Sequence, residues 1–284
     1  MNLDNRKQQI AEAADHRIEV PQARQWRMPS AAGDCNYKIM IYTPAGAPPS
    51  GGYPVIYLLD GNSVFATMVD ALRMQSRRPD KTGVIPAVIV GIGYETSEPF
   101  AARRYYDYTP RATSEYKRRP DGTPIPEQGG ADLFLHFLEK ELKPVIEAKL
   151  PINRQRQAVF GHSLGGLFVL HTLFTQPQAF QYYIAGSPSI HWNHQLLDEE
   201  AERFIADCRS GTVTAEPLRL LIGMGELERT HTARNNDRSE QLIERLSELR
   251  ETGMQMEYRE CPDENHLSVV PILISRALRF ALHP

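Results

Sequence analysis

The stretch Gln157–Phe174, QAVFGHSLGGLFVLHTLF, changes its hydrophobic pattern halfway along. Its first residues read as a β-strand and LFVLHTLF reads as an apolar helix, with Gly161-His162-Ser163-Leu164-Gly165 between them in the pattern G-x-S-x-G. A sharp strand-to-helix turn forces the serine into a strained backbone conformation, and side chains two residues to either side would clash, so glycine suits both places. The turn lifts the serine hydroxyl above the carboxyl end of a sheet. The start of the next helix offers unpaired N–H groups and the positive end of its dipole, so the Leu164 amide can stabilise an oxyanion. A Gly-rich turn needed only for helix–sheet packing is the bland alternative. The strand before it and the helix after it favour a nucleophile.

Outward from this turn, YKIMIYTP, YPVIYLLDG, VIPAVIVGIGY, RQAVFGHS, FQYYIAGSP, LRLLIGMGE and QMEYRECP read as strands, several of them buried on both faces. Between the later ones, helical spacing predicts helices over Gly130–Lys149, Leu164–Thr175, His194–Cys208, Asn235–Thr252 and Leu267–Leu282. This alternation argues for an α/β fold, a mostly parallel sheet with helices on both faces. One domain spanning all 284 residues is more economical than two small ones, and no internal repeat or low-complexity linker divides the chain. Residues 94–128, YETSEPFAARRYYDYTPRATSEYKRRPDGTPIPEQ, are long for a connection inside a compact domain and read as a binding loop, a lid or an insert.

Composition narrows the function classes. A formal net charge of -3 without a Lys/Arg tract gives no reason to expect nucleic acid or a membrane surface as partner. No apolar run approaches the ~18 residues of a membrane span, and 41% hydrophobic with 24% charged residues is ordinary for a soluble globular chain. Cys35, Cys208 and Cys261 are far apart and lack CxxC spacing, so neither a disulfide framework nor a metal site is expected, and no cofactor is implied. The start, MNLDNRKQQIAEAADHR, has no apolar core of a secretory signal. The chain therefore reads as cytoplasmic, or periplasmic if a leader was removed.

A serine nucleophile needs a base, and α/β-hydrolases place Ser first in the chain, then Asp or Glu, then His. His266 stands in a polar loop between the last strand and the C-terminal helix, where the base belongs. His231 is too close to the acid region, His162 and His171 flank the serine without the right approach, and His136, His191 and His194 read as surface or packing residues. After LRLLIGMG, the run GELE offers Glu226 and Glu228, with Asp237 further on. Glu228 is preferred because Glu226 abuts the glycine turn. Solvated carboxylates around a bare Ser–His pair remain the alternative. The second oxyanion donor is expected after YPVIYLLDG, at the backbone N–H of Asn62, with Gly61 allowing close approach; the alternative is an ordinary Asp-Gly turn.

The runs YPVIYLLDGNSVF, VIVGIGYETSEPF, RYYDYTP, QGGADLFLHFLEKELKP, INRQRQAVFGHSLGGLFVL and YYIAGSPSIHW together resemble the trilactone siderophore esterases, the α/β-hydrolases that cut enterobactin and salmochelin. The resemblance extends from about Tyr37 to the C-terminal helix. It implies the α/β-hydrolase fold, Ser163 as nucleophile, His266 as base, Leu164 and Asn62 as oxyanion donors, and Arg104 close to the active site. Some members lack an obvious acid after the penultimate strand, so GELE departs from them toward a full triad.

The substrate such a resemblance implies, a ferric tris-catecholate trilactone, is an anion. From Arg103 to Arg119 there are six basic residues (Arg103, Arg104, Arg111, Lys117, Arg118, Arg119) against two acidic ones (Asp107, Glu115). A basic, aromatic loop beside the nucleophile can attract such an anion. Arg104, with Tyr105, Tyr106 or Trp192 stacked on catechol rings, is the expected binding set, and Tyr106 and Trp192 are taken with Arg104 as its members. On that expectation Arg104→Ala raises KM for the ferric siderophore more than for a neutral aryl ester. A solvated loop is the alternative. Two rival functions stay open: a general carboxylesterase acting on aryl or carbohydrate acyl esters, and a siderophore-binding module without turnover, against which the intact nucleophile and base argue.

Overall fold

Runs of Val, Ile, Leu and Tyr with no polar alternation belong in strands covered on both sides. In sequence order the strands are β1 (Ala23–Pro29), β2 (Asn36–Tyr42), β3 (Tyr53–Leu58), β4 (Val88–Tyr94), β5 (Ile152–His162), β6 (Tyr182–Gly186), β7 (Arg219–Gly225) and β8 (Gln255–Cys261). β3, β4 and β6 are buried at every position. The strands form one eight-stranded sheet, order β1-β2-β4-β3-β5-β6-β7-β8, in a computed structural model that describes residues 18–31, 35–113, 115–119 and 122–283. β3 to β8 pair in parallel, while β2 runs antiparallel to both β1 and β4. The polar start, residues 1–17, lies outside the described residues.

The helices are α1 (Gly61–Gln75), α2 (Pro79–Thr82), α3 (Arg104–Asp107), α4 (Ala131–His136), α5 (Lys143–Lys149), α6 (Leu164–Thr175), α7 (His194–Arg209), α8 (Asn235–Leu246) and α9 (Val269–Leu282). Alternation along β3 sorts the core into two: Val55 and Tyr57 point to the side covered by α4 to α8, Ile56 and Leu58 to the side covered by α1 and α9. α6 is buried from Leu164 through Phe174 and so has no solvent-facing side.

The expected helices are present, Leu164–Thr175 with the limits expected and the others with changed ones. The stretch expected over Gly130–Lys149 is α4, a π-helical segment Phe137–Leu142 and α5. Pro144 has no N–H to give to the carbonyl four residues back and its ring crowds that group, which widens the turn before it. α8 ends at Leu246 and continues as a 3-10 turn, Ser247–Arg250, and the C-terminal helix begins at Val269. Four of the named elements were not anticipated: β1, α1 and the single-turn helices α2 and α3. α1 was hidden because its start, Gly61-Asn62 after Asp60, reads as a turn, although Val64, Phe65, Met68, Val69 and Leu72 carry a helical apolar stripe.

Across the sheet from α1, the face around α6 holds a charged cluster in which His171 and Glu200 are buried and Asp132 is exposed. His171 bonds through Nδ1 to Glu200 Oε2 (2.9 Å, from α7) and through Nε2 to Asp132 Oδ1 (3.1 Å, from α4). Burial works to lower the imidazole, but the two carboxylates outweigh it and raise it to about 9. A raised folded-state value means that the stabilisation is complete below the unfolded value near 6.5 and is lost as pH rises through about 9. The stability advantage of the wild type over His171→Gln should therefore shrink by on the order of 2–3 kcal/mol between pH 6 and pH 10 in urea denaturation. A difference that stays constant over that range would remove the cluster's charge from the account.

Candidate active site

The strand-to-helix turn after β5 holds Ser163 at φ 60°, ψ −118°, a conformation that costs a non-glycine residue about 1–3 kcal/mol. The cost is met locally. Ser163 N–H donates to the Gly186 carbonyl (2.9 Å), and the Ser163 carbonyl accepts from Leu167 N–H (3.0 Å) and Ser189 N–H (3.1 Å). The steric demand on the glycines is one-sided. A Cβ on Gly161 would lie 2.2 Å from the Gly165 carbonyl oxygen, whereas one on Gly165 meets nothing nearer than 3.6 Å. The helix glycine that admits no side chain is Gly166, whose Cβ would stand 2.9 Å from the Gly186 oxygen, so it is the contact with β6 that excludes a side chain there.

Ser163 Oγ lies 3.1 Å from His266 Nε2, and His266 Nδ1 lies 2.7 Å from Glu228 Oε2. Because a carboxylate only accepts, Nδ1 carries the proton and Nε2 is left to accept from the serine hydroxyl. The second oxygen, Glu228 Oε1, accepts from Ser187 Oγ–H (2.6 Å) and Gly225 N–H (2.8 Å). Burial raises the Glu228 carboxyl, but the hydrogen bonds from His266, Ser187 and Gly225 prevail and hold it below its ordinary value, so it is ionised at neutral pH. The 3-10 turn Glu226–Thr230 after β7 presents Glu228 inward. Glu226 is turned to the surface, where it accepts from Asp263 N–H in the loop that leads to His266 (3.0 Å), and Asp237 pairs with Arg234. Of the three carboxylates weighed from sequence, Glu228 alone meets His266.

Below His266 lies His162, whose ring centroid is 4.6 Å from that of His266. Burial, then the neighbouring His266 and Arg104, pushes His162 down to about 3, so a second positive charge does not compete with the base. Sequence reasoning missed Ser187 and Ser189, the latter with its hydroxyl 3.2 Å from Ser163 Oγ. Their signal was the serine pair in AGSPS at the carboxyl end of the strand beside the nucleophile's own.

β3 and β5 are parallel neighbours, Leu58 beside Phe160, so α1 and α6 begin at the same end of the sheet. The first-turn N–H groups of a helix have no acceptor within it, and those of Asn62 and Leu164 stand at that same end of the sheet, although neither residue is among those lining the cavity over Ser163. The Asn62 side chain is occupied elsewhere: Oδ1 accepts from Tyr94 N–H (2.7 Å) and Nδ2 donates to the carbonyls of Tyr94 (3.0 Å) and Thr96 (2.9 Å).

A cavity of about 520 Å³ opens over Ser163 and His266, lined by Glu98, Phe100, Arg104, Tyr105 and Arg119. Arg104 reaches it but is 8% exposed, with Nε and Nη2 each 2.9 Å from an oxygen of Asp60. Its charge is matched within the protein, contrary to the free cation expected from sequence. Tyr106 and Trp192 do not line this cavity. Tyr106 covers Gly130 and carries Arg103 4.3 Å above its ring, because α3 turns it to the far side. Trp192 donates to Gln128 Oε1 (2.8 Å) and packs between Tyr116 (5.3 Å, stacked) and Tyr105 (5.9 Å), behind the wall. Tyr105 holds the position expected for Tyr106. Arg119 lies 4.9 Å above the Tyr105 ring and makes no ion pair among the described residues.

A mostly parallel sheet with a strained serine after its fifth strand and a histidine after its last is the α/β-hydrolase fold, here carrying the geometry of a serine ester hydrolase. The chain belongs to the esterase family whose model, described as "Putative esterase", matches residues 30–268. It is 52% identical to the ferri-bacillibactin esterase BesA of Bacillus subtilis over 93% of this chain and 91% of that one. It is 39% identical to a siderophore enterobactin esterase of Emericella nidulans over 79% of this chain and 80% of that one. The crystal structure of the BES protein from Bacillus cereus matches with a TM-score of 0.87 and 40% identity, over 96% of this chain and 100% of that one.

Proposed function

We propose that this protein is a serine esterase that hydrolyses the ester bonds of a catecholate trilactone siderophore, with Ser163 as nucleophile, His266 as general base and Glu228 as the acid that orients it. The observation that carries the reaction is the continuous hydrogen-bonded line from Ser163 Oγ through His266 to Glu228, opening on the cavity. The substrate class is supported by relatives named for ferri-bacillibactin and enterobactin.

In this reading the Ser163 hydroxyl gives its proton to His266 Nε2 while its oxygen bonds to a lactone carbonyl carbon. The oxyanion takes hydrogen bonds from the Leu164 and Asn62 amides. Collapse breaks the acyl–oxygen bond, and the leaving alkoxide of a serine unit or its equivalent takes the proton back from His266. Water then repeats the sequence on the acyl-enzyme and frees Ser163. Opening one ester linearises the ligand, and iron is held less tightly because the chelate has lost preorganisation.

A ferric tris-catecholate is anionic, and Arg119, which lies at the cavity wall over the Tyr105 ring and makes no ion pair among the described residues, is the side chain suited to it. A partly exposed ion pair is worth up to ~1 kcal/mol, so Arg119→Ala should raise KM for the ferric trilactone about five-fold and leave KM for a neutral aryl ester within about two-fold. Equal changes for both would take substrate charge out of the reading. The function itself is tested by incubating the protein with ferric and iron-free trilactone and following linear trimer, dimer and monomer by chromatography. Turnover of aryl or acetyl esters with no trilactone opening would move the protein to the general carboxylesterases.

A further inference from the structure

We infer that Arg104 is a positioning residue that keeps an oxyanion-hole amide free by holding the Asp60 carboxylate away from it. The inference rests on the reading that the Asn62 amide stabilises the oxyanion. Asp60 immediately precedes α1, at its N-cap. Aspartate is among the preferred residues there, because from extended backbone its carboxylate accepts a hydrogen bond from the second or third amide of the helix. The second amide of α1 is that of Asn62. A self-capped Asp60 would therefore occupy the N–H that the oxyanion requires and place a negative charge where one must develop.

The structure avoids this arrangement in three ways. Asp60 adopts φ 51°, ψ 42°, the left-handed region that a residue with a side chain enters at a cost, and its side chain makes no cap hydrogen bond. Both carboxylate oxygens instead take Arg104, Oδ1 from Nε and Oδ2 from Nη2, each at 2.9 Å. The Asp60 N–H donates to the Tyr108 hydroxyl at 3.1 Å, which fixes the rotated backbone. Arg104 Nη2 also lies 3.3 Å from the His162 carbonyl, so the same guanidinium touches the residue before Ser163. One planar fork thus ties the turn after β3 to the turn after β5. Lysine, with a single point of charge, does not reproduce it.

The test separates positioning from substrate binding by second-site rescue. Arg104→Met should lower kcat on a neutral aryl ester about a hundred-fold with KM within about two-fold, the loss expected when one oxyanion donor is removed. Asp60→Gly accepts the positive φ and has no carboxylate, so the double variant Arg104→Met/Asp60→Gly should recover at least about ten-fold in kcat. A role that does not act through the Asp60 carboxylate predicts no rescue, a purely structural ion pair predicts less folded protein with kcat per fluorophosphonate-titrated active site unchanged, and a substrate-binding role predicts a KM effect on the ferric trilactone alone; any of these results overturns the inference. Should Arg104→Met fail to fold for want of a partner to Asp60, the comparison of Asp60→Gly with the double variant decides. The two should agree within a few-fold, and a much slower double variant would mean that Arg104 has another task. Ser163→Ala is run alongside. Turnover retained there would remove the reading of the site itself, whereas an inactive Ser163→Ala with no rescue at Asp60 would remove this inference alone.

Discussion

Ser163→Ala is expected to lower kcat/KM for trilactone and aryl esters alike by at least about ten-thousand-fold, leaving only what the oxyanion donors and binding supply over water. The loss is chemical. The Ser163 hydroxyl makes contacts to His266 and Ser189, and its removal leaves the turn's backbone hydrogen bonds to Gly186, Leu167 and Ser189 in place. Ser189 stands next to it but has no bond to His266, so it has no base to take its proton. Chromatography of linear products and labelling with a fluorophosphonate probe measure the two halves of the claim. Retention of more than about one per cent of wild-type turnover would place the nucleophile elsewhere.

Glu228→Gln should lower kcat by about a thousand- to ten-thousand-fold with KM little changed. The argument turns on which way the amide must face. Ser187 Oγ–H and Gly225 N–H both donate to Oε1, so the oxygen of a glutamine is required on that side and its NH2 faces His266 Nδ1. His266 must then accept at Nδ1 and carry its proton on Nε2, the tautomer that cannot take a proton from Ser163. A free carboxylate accepts at both ends and avoids the conflict. Steady-state kinetics on an aryl ester read the result; a fall of less than ten-fold would mean that the Ser163–His266 pair works without an acid. Stability follows the same carboxylate. Burial opposes its charge, but three hydrogen bonds depress it overall, so its contribution is present above the unfolded carboxylate value and is lost as pH falls through the folded one.

Much of the site was legible because its chemistry is written in local pattern. Gly161 is obligatory where a Cβ would meet the Gly165 carbonyl at 2.2 Å, and that clash is set by the turn itself. His266 follows the last strand because a parallel sheet brings each strand's carboxyl end to the same edge. The choice between Glu226 and Glu228 was not local. Both lie in one 3-10 turn, and it is Glu228 that Ser187, just after β6, reaches across to hold against His266. Tyr105 and Tyr106 are adjacent in the chain, and α3 decides that one faces the nucleophile while the other covers Gly130. Arg104 was read as a free charge because its partner, Asp60, is 44 residues away.

The sequence by itself determined the mostly parallel α/β architecture, the serine in its tight strand-to-helix turn and the histidine after the last strand. Each follows from hydrophobic period, the steric limits of one turn, or the position of a residue after a strand, and these act over a few residues. Only the tertiary structure decided which charges are met within the fold and which reach the cavity. His266 is 103 residues from Ser163 and 38 from Glu228, Arg104 is matched by Asp60, and Arg119 lines the cavity without an ion pair among the described residues. A charge is defined by what stands within hydrogen-bond reach of it, and for these residues the fold supplies that neighbour from a distant part of the chain.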